Sequence, residues 1–283
     1  MAAELVFTMF RLQLDEREQL EFGLSASYGR TAALRDVLYE APYGESRWGT
    51  WTIGNVAQVD EFGYYFRLGR VKKERTQTFE DGKFVDVAFD RAPYTHAFLD
   101  THKQVLGVAR NKEVAGSTKA LANRFCGIVA TSETFKKAGF LCEAFQISDP
   151  KGLLTWIERA DTIKAMWLTF RRPNAFDEEK DFRGPMKKTL KALKAKSGTA
   201  QFHGPDIDKQ QAKEITQATA AGGNDATVRL RAPEEATDRN VSTKDTPAIV
   251  TTESVSSEES RKQFLARLRA KYTEVRGPTP DES

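Results

Sequence analysis

The sequence predicts an α+β protein. A mainly antiparallel β N-terminal domain (1–138) precedes a smaller, basic α/β sandwich domain (139–232), a disordered linker (233–255) and an amphipathic helix with its tail (256–283). Three observations predict this. From Trp51 to Ala109, apolar and polar residues alternate in short runs separated by turn residues, as in antiparallel strands with one buried face. From Phe140 onward, strand-like runs alternate with helical ones, the pattern of helices layered on a sheet. After Pro233 large apolar residues become scarce, so that segment has little surface to bury against its ordering entropy.

Leu5–Leu14 is rich in β-branched and aromatic residues and reads as the first strand. A short helix is expected at Ala33–Leu38, then strands at Thr52–Val59, Tyr64–Val71 and Phe84–Phe89. The Asp81-Gly82 dipeptide joins the last two as a hairpin, because both residues tolerate positive φ. A second hairpin, Thr95–Ala109, turns near Asp100–Lys103. Ser117 can cap a helix running to Val129, in which Leu121, Phe125, Ile128 and Val129 recur at helical spacing. Ser132–Ala138 forms a shorter helix stopped by Gly139.

In the second domain, Phe140–Ile147 reads as a strand and Asp149-Pro150 opens a helix over Lys151–Arg159. A strand at Thr162–Phe170 leads to a Lys-rich helix with Pro185 in its first turn. Thr199–Phe202 is a short strand, Ile207–Ala220 a helix ended by Gly222-Gly223, and Ala226–Arg231 the closing strand. Ser256 and Glu259 have capping-box spacing at the start of the last helix.

Charge is placed unevenly. Between Lys164 and Lys196 there are ten Lys/Arg against four acidic residues, whereas the whole chain is only +3. On an ideal helix Met186, Leu190 and Leu193 share an apolar side, and Lys187, Lys191 and Lys194 the adjacent one, widened by Lys188. Arg171 and Arg172 end the preceding strand and extend the patch. Such a row can track phosphates, each contact giving a salt slope of about 0.9 on duplex DNA. Lysine lacks the bidentate fork that arginine uses on guanine. Binding to nucleic acid without sequence preference, double-stranded DNA first, is therefore the expectation, although a Lys-rich helix is equally often a solvated face. A second cluster, Arg67, Arg70, Lys72, Lys73 and Arg75, is split between sheet faces by alternation. A charge-protected edge strand explains it as well as a phosphate contact does, and Arg70, Lys72 and Lys73 remain candidates for the same ligand.

No catalytic motif is found. HExxH, GxSxG and a glycine-rich phosphate loop are all missing. His96 and His102, with Asp100 between them, and the distant His203 define no site. Asp86, Asp90 and Lys103 are the only residues that suggest the alternative of a metal-dependent nuclease. No enzyme activity, cofactor or metal is expected. Cys126 and Cys142 have no CxxC partner and read as free buried thiols. No apolar run reaches about 18 residues and the first residues lack a signal-peptide pattern, so a cytoplasmic location is expected. The terminal helix, following a flexible linker, can dock back on its own domain, lie in a partner's groove through Phe264, Leu265, Leu268 and Tyr272, or touch an anionic membrane through Arg261, Lys262, Arg267, Arg269 and Lys271, and protein contact is the favoured reading of the three. An adaptor recruiting a second protein is the other functional alternative.

The hairpin Ala97–Arg110, the helix start at Ser117-Thr118, the Pro150–Trp156 segment, the strand Ile163–Phe170 ending in basic residues and Pro173, and the Lys-rich helix occur in that order. In this element order, over roughly residues 60–232, the chain resembles the RexA-type phage exclusion proteins and the KwaB-type subunits of antiphage defence systems. The resemblance implies two domains, a homodimer, DNA binding without strong sequence preference, and action in phage exclusion beside a partner that is often a membrane protein. The linker and terminal helix depart from that pattern.

Overall fold

Turn chemistry and residue alternation lay out the strands. The chain is described from a computed structural model covering residues 4–16, 29–47, 49–171, 189, 190, 192, 193, 195, 197–233 and 235–277. In chain order the elements are β1 (Leu5–Glu16), α1 (Arg30–Tyr39), β2 (Tyr43–Ser46), β3 (Gly49–Gln58), β4 (Gly63–Glu80), β5 (Lys83–Arg91), β6 (Tyr94–Asp100) and β7 (Val105–Ala109). They continue with α2 (Thr118–Val129), α3 (Glu133–Ala138), β8 (Phe140–Gln146), α4 (Lys151–Arg159), β9 (Thr162–Arg171), β10 (Ser197–His203) and α5 (Lys209–Ala221). The last are β11 (Ala226–Arg231), β12 (Arg239–Ser242), β13 (Ile249–Thr252) and α6 (Glu258–Arg276). The fold is mixed α+β with mostly antiparallel sheet, as the sequence predicts. It divides into two units, Glu16–Ala144 and a discontinuous one of Met1–Asp15 with Phe145–Ser283.

In the 16–144 unit the strands run in the order β7-β6-β4-β3-β2, and β5 pairs with β4. Asp81 and Gly82 both take positive φ, 48° and 76°, and close the β4–β5 hairpin as expected. Ser117 accepts the Ala120 N–H at 3.1 Å to start α2, and Gly139 ends α3 at φ 68° in the left-handed region. Tyr64, Phe66, Leu68, Phe98 and Leu99 are fully or almost fully buried together with Leu34, Leu38, Leu121 and Phe125 of the helices. The Phe66 and Phe125 rings stack with centroids 5.4 Å apart. Each such side chain contributes about 1.5–3 kcal/mol on leaving water, so this core holds the sheet and helices together. Cys126 is buried and Cys142 half-buried, and the two free thiols come within 2.9 Å, a proximity that their spacing did not disclose. Burial, with the Cys142 hydrogen bond, pushes the Cys126 thiol well above its ordinary range.

The discontinuous unit has two parts. In one, β1 pairs antiparallel with β13, Leu5 opposite Thr252 through Thr8 opposite Ile249. Met9 N–H donates to Ala248 O at 3.0 Å, and Ile147 N–H donates to Met9 O at 3.0 Å. Helix α6 lies against this strand pair, the Phe7 and Phe264 centroids 4.3 Å apart. In the other, four strands in the order β10-β9-β11-β12 carry α4 and α5 on one face. Leu153, Ile157, Ile163, Met166, Leu168, Ala212, Val228 and Leu230 form its core.

Several expectations are corrected. The boundary falls at 144/145 rather than 138/139, and β1 belongs with the C-terminal residues. The expected linker 233–255 contains β12 and β13, which pair with β11 and β1. An edge strand needs few apolar residues of its own, because the strand it joins supplies the core, and Ala248, Val250 and Val255 suffice as the buried ones. The capping box is built by Ser257 and Ser260 instead of Ser256 and Glu259, each hydroxyl accepting the other's backbone N–H at 3.1 Å. Strand β4 runs past Val71 to Glu80, because its polar residues form a ribbon exposed on both faces.

Candidate nucleic-acid interface

The whole of the expected lysine row, Lys187, Lys188, Lys191 and Lys194, lies outside the described residues, as does Arg172. Of the apolar side assigned to that helix, Leu190 is buried, but Leu193 is 71% exposed and is not a core residue. Arg171 ends β9. Its guanidinium donates to Gly223 O and, at 3.3 Å, to Asn224 Oδ1, and sits 4.3 Å from the Phe145 ring centroid. Those contacts fix its position.

The strand that carries Arg171 also presents an open sheet face. Helices α4 and α5 cover one side of the β10-β9-β11-β12 sheet, and strand alternation sends every second side chain to the other. Cross-strand register puts Gln201, Trp167, Thr227 and Ser242 in one row across the four strands. His203, Ala165, Arg229 and Asn240 form the adjacent row. Apart from Ala165, all are exposed or half-exposed.

Trp167 is the large aromatic of this face. The His203 ring meets it edge-on at 6.1 Å, and the Arg229 guanidinium lies 5.7 Å from its centroid. These neighbours are themselves held. The Gln201 amide lies 2.5 Å from His203 Nε2, which accepts when the imidazole carries its proton on Nδ1. Arg229 Nε donates to Asn240 Oδ1 at 3.2 Å, Arg231 Nε to Asp238 Oδ1 at 3.0 Å, and Thr227 Oγ1 to Ser242 Oγ at 2.9 Å. The result is a sheet face with a half-exposed indole flanked by an arginine and a histidine, with amide and hydroxyl groups in the rows on either side. The sequence reading dismissed His203 and passed over Trp167, Gln201, Arg229 and Asn240. The signal was available in β9, where Ala165, Trp167, Thr169 and Arg171 form the polar phase and Met166, Leu168 and Phe170 the apolar one.

The second basic cluster lies in the 16–144 unit. Arg67 packs its guanidinium 4.2 Å from the Tyr94 ring centroid, and Arg70 lies 5.8 Å from that of Trp51. Lys72 forms an ion pair with Glu74, which also takes Arg91 at 3.5 Å. Lys73 is exposed, directly opposite Asp90. Residues 72–91 carry Lys72, Lys73, Arg75, Lys83 and Arg91 against Glu74, Glu80, Asp81, Asp86 and Asp90. Arg67 lies between Gly54 of β3 and His96 of β6, and Arg70 lies opposite Trp51 of β3, while the charges from Lys72 to Arg91 balance, so the cluster does not form one basic edge.

The chemical candidates also find their places. His96 Nδ1 is 2.8 Å from the Tyr65 hydroxyl, and the His102 ring packs 5.1 Å from that of Phe62. Asp100 is buried and accepts the Lys103 N–H at 2.6 Å, holding the β6–β7 turn. Asp86 and Asp90 lie four residues apart on one strand, a separation of about 13 Å, too wide for one metal ion. Among the described residues no group of three or more His, Cys, Asp or Glu is placed to hold a metal, and no helix is long and apolar enough to cross a membrane.

The terminal helix departs from its expected role. Phe264, Leu265, Leu268 and Tyr272 are at most 5% exposed, packed within their own unit, so they form no free surface for a partner. No protein-family model matches the chain, and no curated protein does.

Proposed function

We propose that this protein binds nucleic acid without sequence preference through the open face of its four-stranded sheet. The observation that carries the reading is Trp167, set at the centre of an exposed, polar sheet face between Arg229 and His203. A planar indole offers a stacking surface to any base, worth about 1–3 kcal/mol per base. Arginines beside it neutralise phosphates, with a salt slope of about 0.7 per contact on a single strand and about 0.9 on a duplex. The basic segment 171–196 adjoins this face in sequence and supports the same ligand.

The test is titration of fluorescein-labelled single-stranded and duplex DNA at several salt concentrations. Trp167→Ala is expected to weaken binding by about 5- to 150-fold, the equivalent of one stacked base. Charge reversal at Lys187, Lys191 and Lys194 should weaken it further and flatten the salt dependence. Binding that is unchanged in both variants removes the proposal. The setting implied by the resemblance, phage exclusion or antiphage defence, belongs to the same reading. Phage plating on cells carrying the wild-type or Trp167→Ala gene tests it, with protection expected from the wild type and lost in the variant.

A further inference from the structure

Beyond Lys72, strand β4 pairs with β5 alone, from Lys72 opposite Arg91 to Glu80 opposite Lys83. The result is a two-stranded ribbon, a structure that is marginal by itself in water. Among its many charged residues it leaves four large apolar side chains exposed. Phe84 is 77% exposed, Phe79 64%, Phe89 43% and Val85 42%. Strand β5 contains no proline, and among the described residues no strand lies on its outer edge. Edges like this are normally blunted or covered.

We propose that β5 pairs antiparallel with β5 of a second copy of the chain, about a two-fold axis at Val87. The turn Asp81-Gly82 contains two residues, so its flanking pair Glu80–Lys83 is the first hydrogen-bonded pair of the hairpin. By alternation Lys83, Val85, Val87, Phe89 and Arg91 turn their backbone groups toward β4, while Phe84, Asp86, Ala88 and Asp90 turn theirs outward. Those outward groups are the ones a second strand can take.

Register then decides which charges meet at the centre of the contact. Centring the axis on Asp86 sets two Asp86 carboxylates directly opposite each other, and centring it on Ala88 sets Asp86 opposite Asp90 twice. Like charges directly opposite are destabilising. Centring it on Val87 places Asp86 opposite Ala88 and Asp90 opposite Phe84, and satisfies the outward groups with about eight hydrogen bonds. On one face Arg75 faces Asp86 of the second copy across the small Ala88, within reach of its long side chain. On the other, Val87 meets its own copy, Val85 meets Phe89, and the six side chains form one continuous apolar stripe. These are non-hydrogen-bonded pairs, whose side chains approach most closely. The ends set Lys83 opposite Arg91, whose charge is already engaged by Glu74 and Glu113. The ribbon's equal numbers of acidic and basic residues leave the two copies without mutual repulsion. Because the contact is isologous it closes as a dimer, and it turns two marginal ribbons into one four-stranded sheet.

Light scattering of the full chain at micromolar concentration should give twice the chain mass. Ala88→Pro removes an outward N–H without touching a bond to β4, and is expected to raise the dimer dissociation constant at least about tenfold. Val87→Cys places the two new thiols on Cα atoms about 4.5 Å apart, inside disulfide range. Mild oxidation should therefore give a covalent dimer on a non-reducing gel. Ala88→Cys, which faces Asp86 rather than itself, should not. A monomeric chain, a dimer indifferent to Ala88→Pro, or equal cross-linking of the two cysteine variants would each overturn the proposal.

Discussion

Asp149 joins two parts of the discontinuous unit through charge. Its carboxylate accepts from Lys271 Nζ of α6 at 2.8 Å and from the Lys151 N–H, at the start of α4, at 3.0 Å. Burial raises the pKa of this group, but the hydrogen bonds from Lys271 and Lys151 outweigh it and hold the carboxyl below the ordinary aspartate range. Burial lowers Lys271, and its bonds to Asp149 and Glu274 more than restore it, leaving the ammonium above the ordinary lysine range. The signs follow by linkage. The depressed Asp149 contributes stability above its unfolded value of about 3.9, and loses it as pH falls through the lower folded value. The raised Lys271 contributes fully below about 10.4 and loses its share as pH rises through the higher folded value. Asp149→Asn keeps an acceptor for the Lys151 N–H while removing the charge. It should cost about 1 kcal/mol at pH 7, and the difference from wild type should shrink toward zero as pH falls below the ordinary aspartate value. Urea unfolding at pH 7 and in the acid range checks this, and a difference that persists undiminished in acid would mean the ion pair is not its source.

Helix α6 behaves as a core element although its flanking composition is that of a tether. Phe264, at 0% exposure against Phe7, predicts the consequence. Phe264→Ala should cost about 3–5 kcal/mol, through lost burial and the cavity left behind, measured as a fall in the urea midpoint. A helix free to serve a partner would show almost no change. The apolar stripe Phe264, Leu265, Leu268 and Tyr272 was legible from spacing, but what it meets was not, because β1 lies more than two hundred residues earlier in the sequence. The same distinction runs through the fold. Ser117, Gly139 and Asp81-Gly82 act on their immediate neighbours, and the sequence disclosed their roles. Strand order and register are long-range properties, so the row joining Trp167 to Gln201 and Thr227 emerged only with the structure. The ribbon extension of β4 escaped for another reason. A strand solvated on both faces carries no hydrophobic alternation to read.

At the scale of the molecule, the C-terminal unit closes through its first residues. Phe7, Met9, Phe10, Leu12 and Leu14 of β1 are all 0% exposed. Within the unit, β1 is held by β13 through backbone pairing, by Ile147 through its N–H, and by α6 through Phe264. The domain expected from sequence, 139–232, leaves out β1, β13 and α6. It also leaves out β12, the neighbour of β11, and so ends with β11 as a bare edge. Among the described residues its remaining sheet keeps a single core of ten buried residues, Leu153, Ile157, Ile163, Met166, Leu168 and Leu230 the largest of them. A core that small supplies only a few kcal/mol against the ordering entropy of the segment. We therefore expect a 139–232 fragment to lack a cooperative thermal transition by circular dichroism, and deletion of residues 1–14 from the full chain to abolish soluble, cooperatively folding protein. A fragment that melts cooperatively would show that the four-stranded sheet and its two helices are sufficient alone. The proposed nucleic-acid face would then be portable, and Trp167-dependent binding should accompany the fragment. If it melts without cooperativity, binding should be found only where β1 and α6 are present, since the rows that place Arg229 and His203 beside the indole depend on β10, β9 and β11 keeping their register.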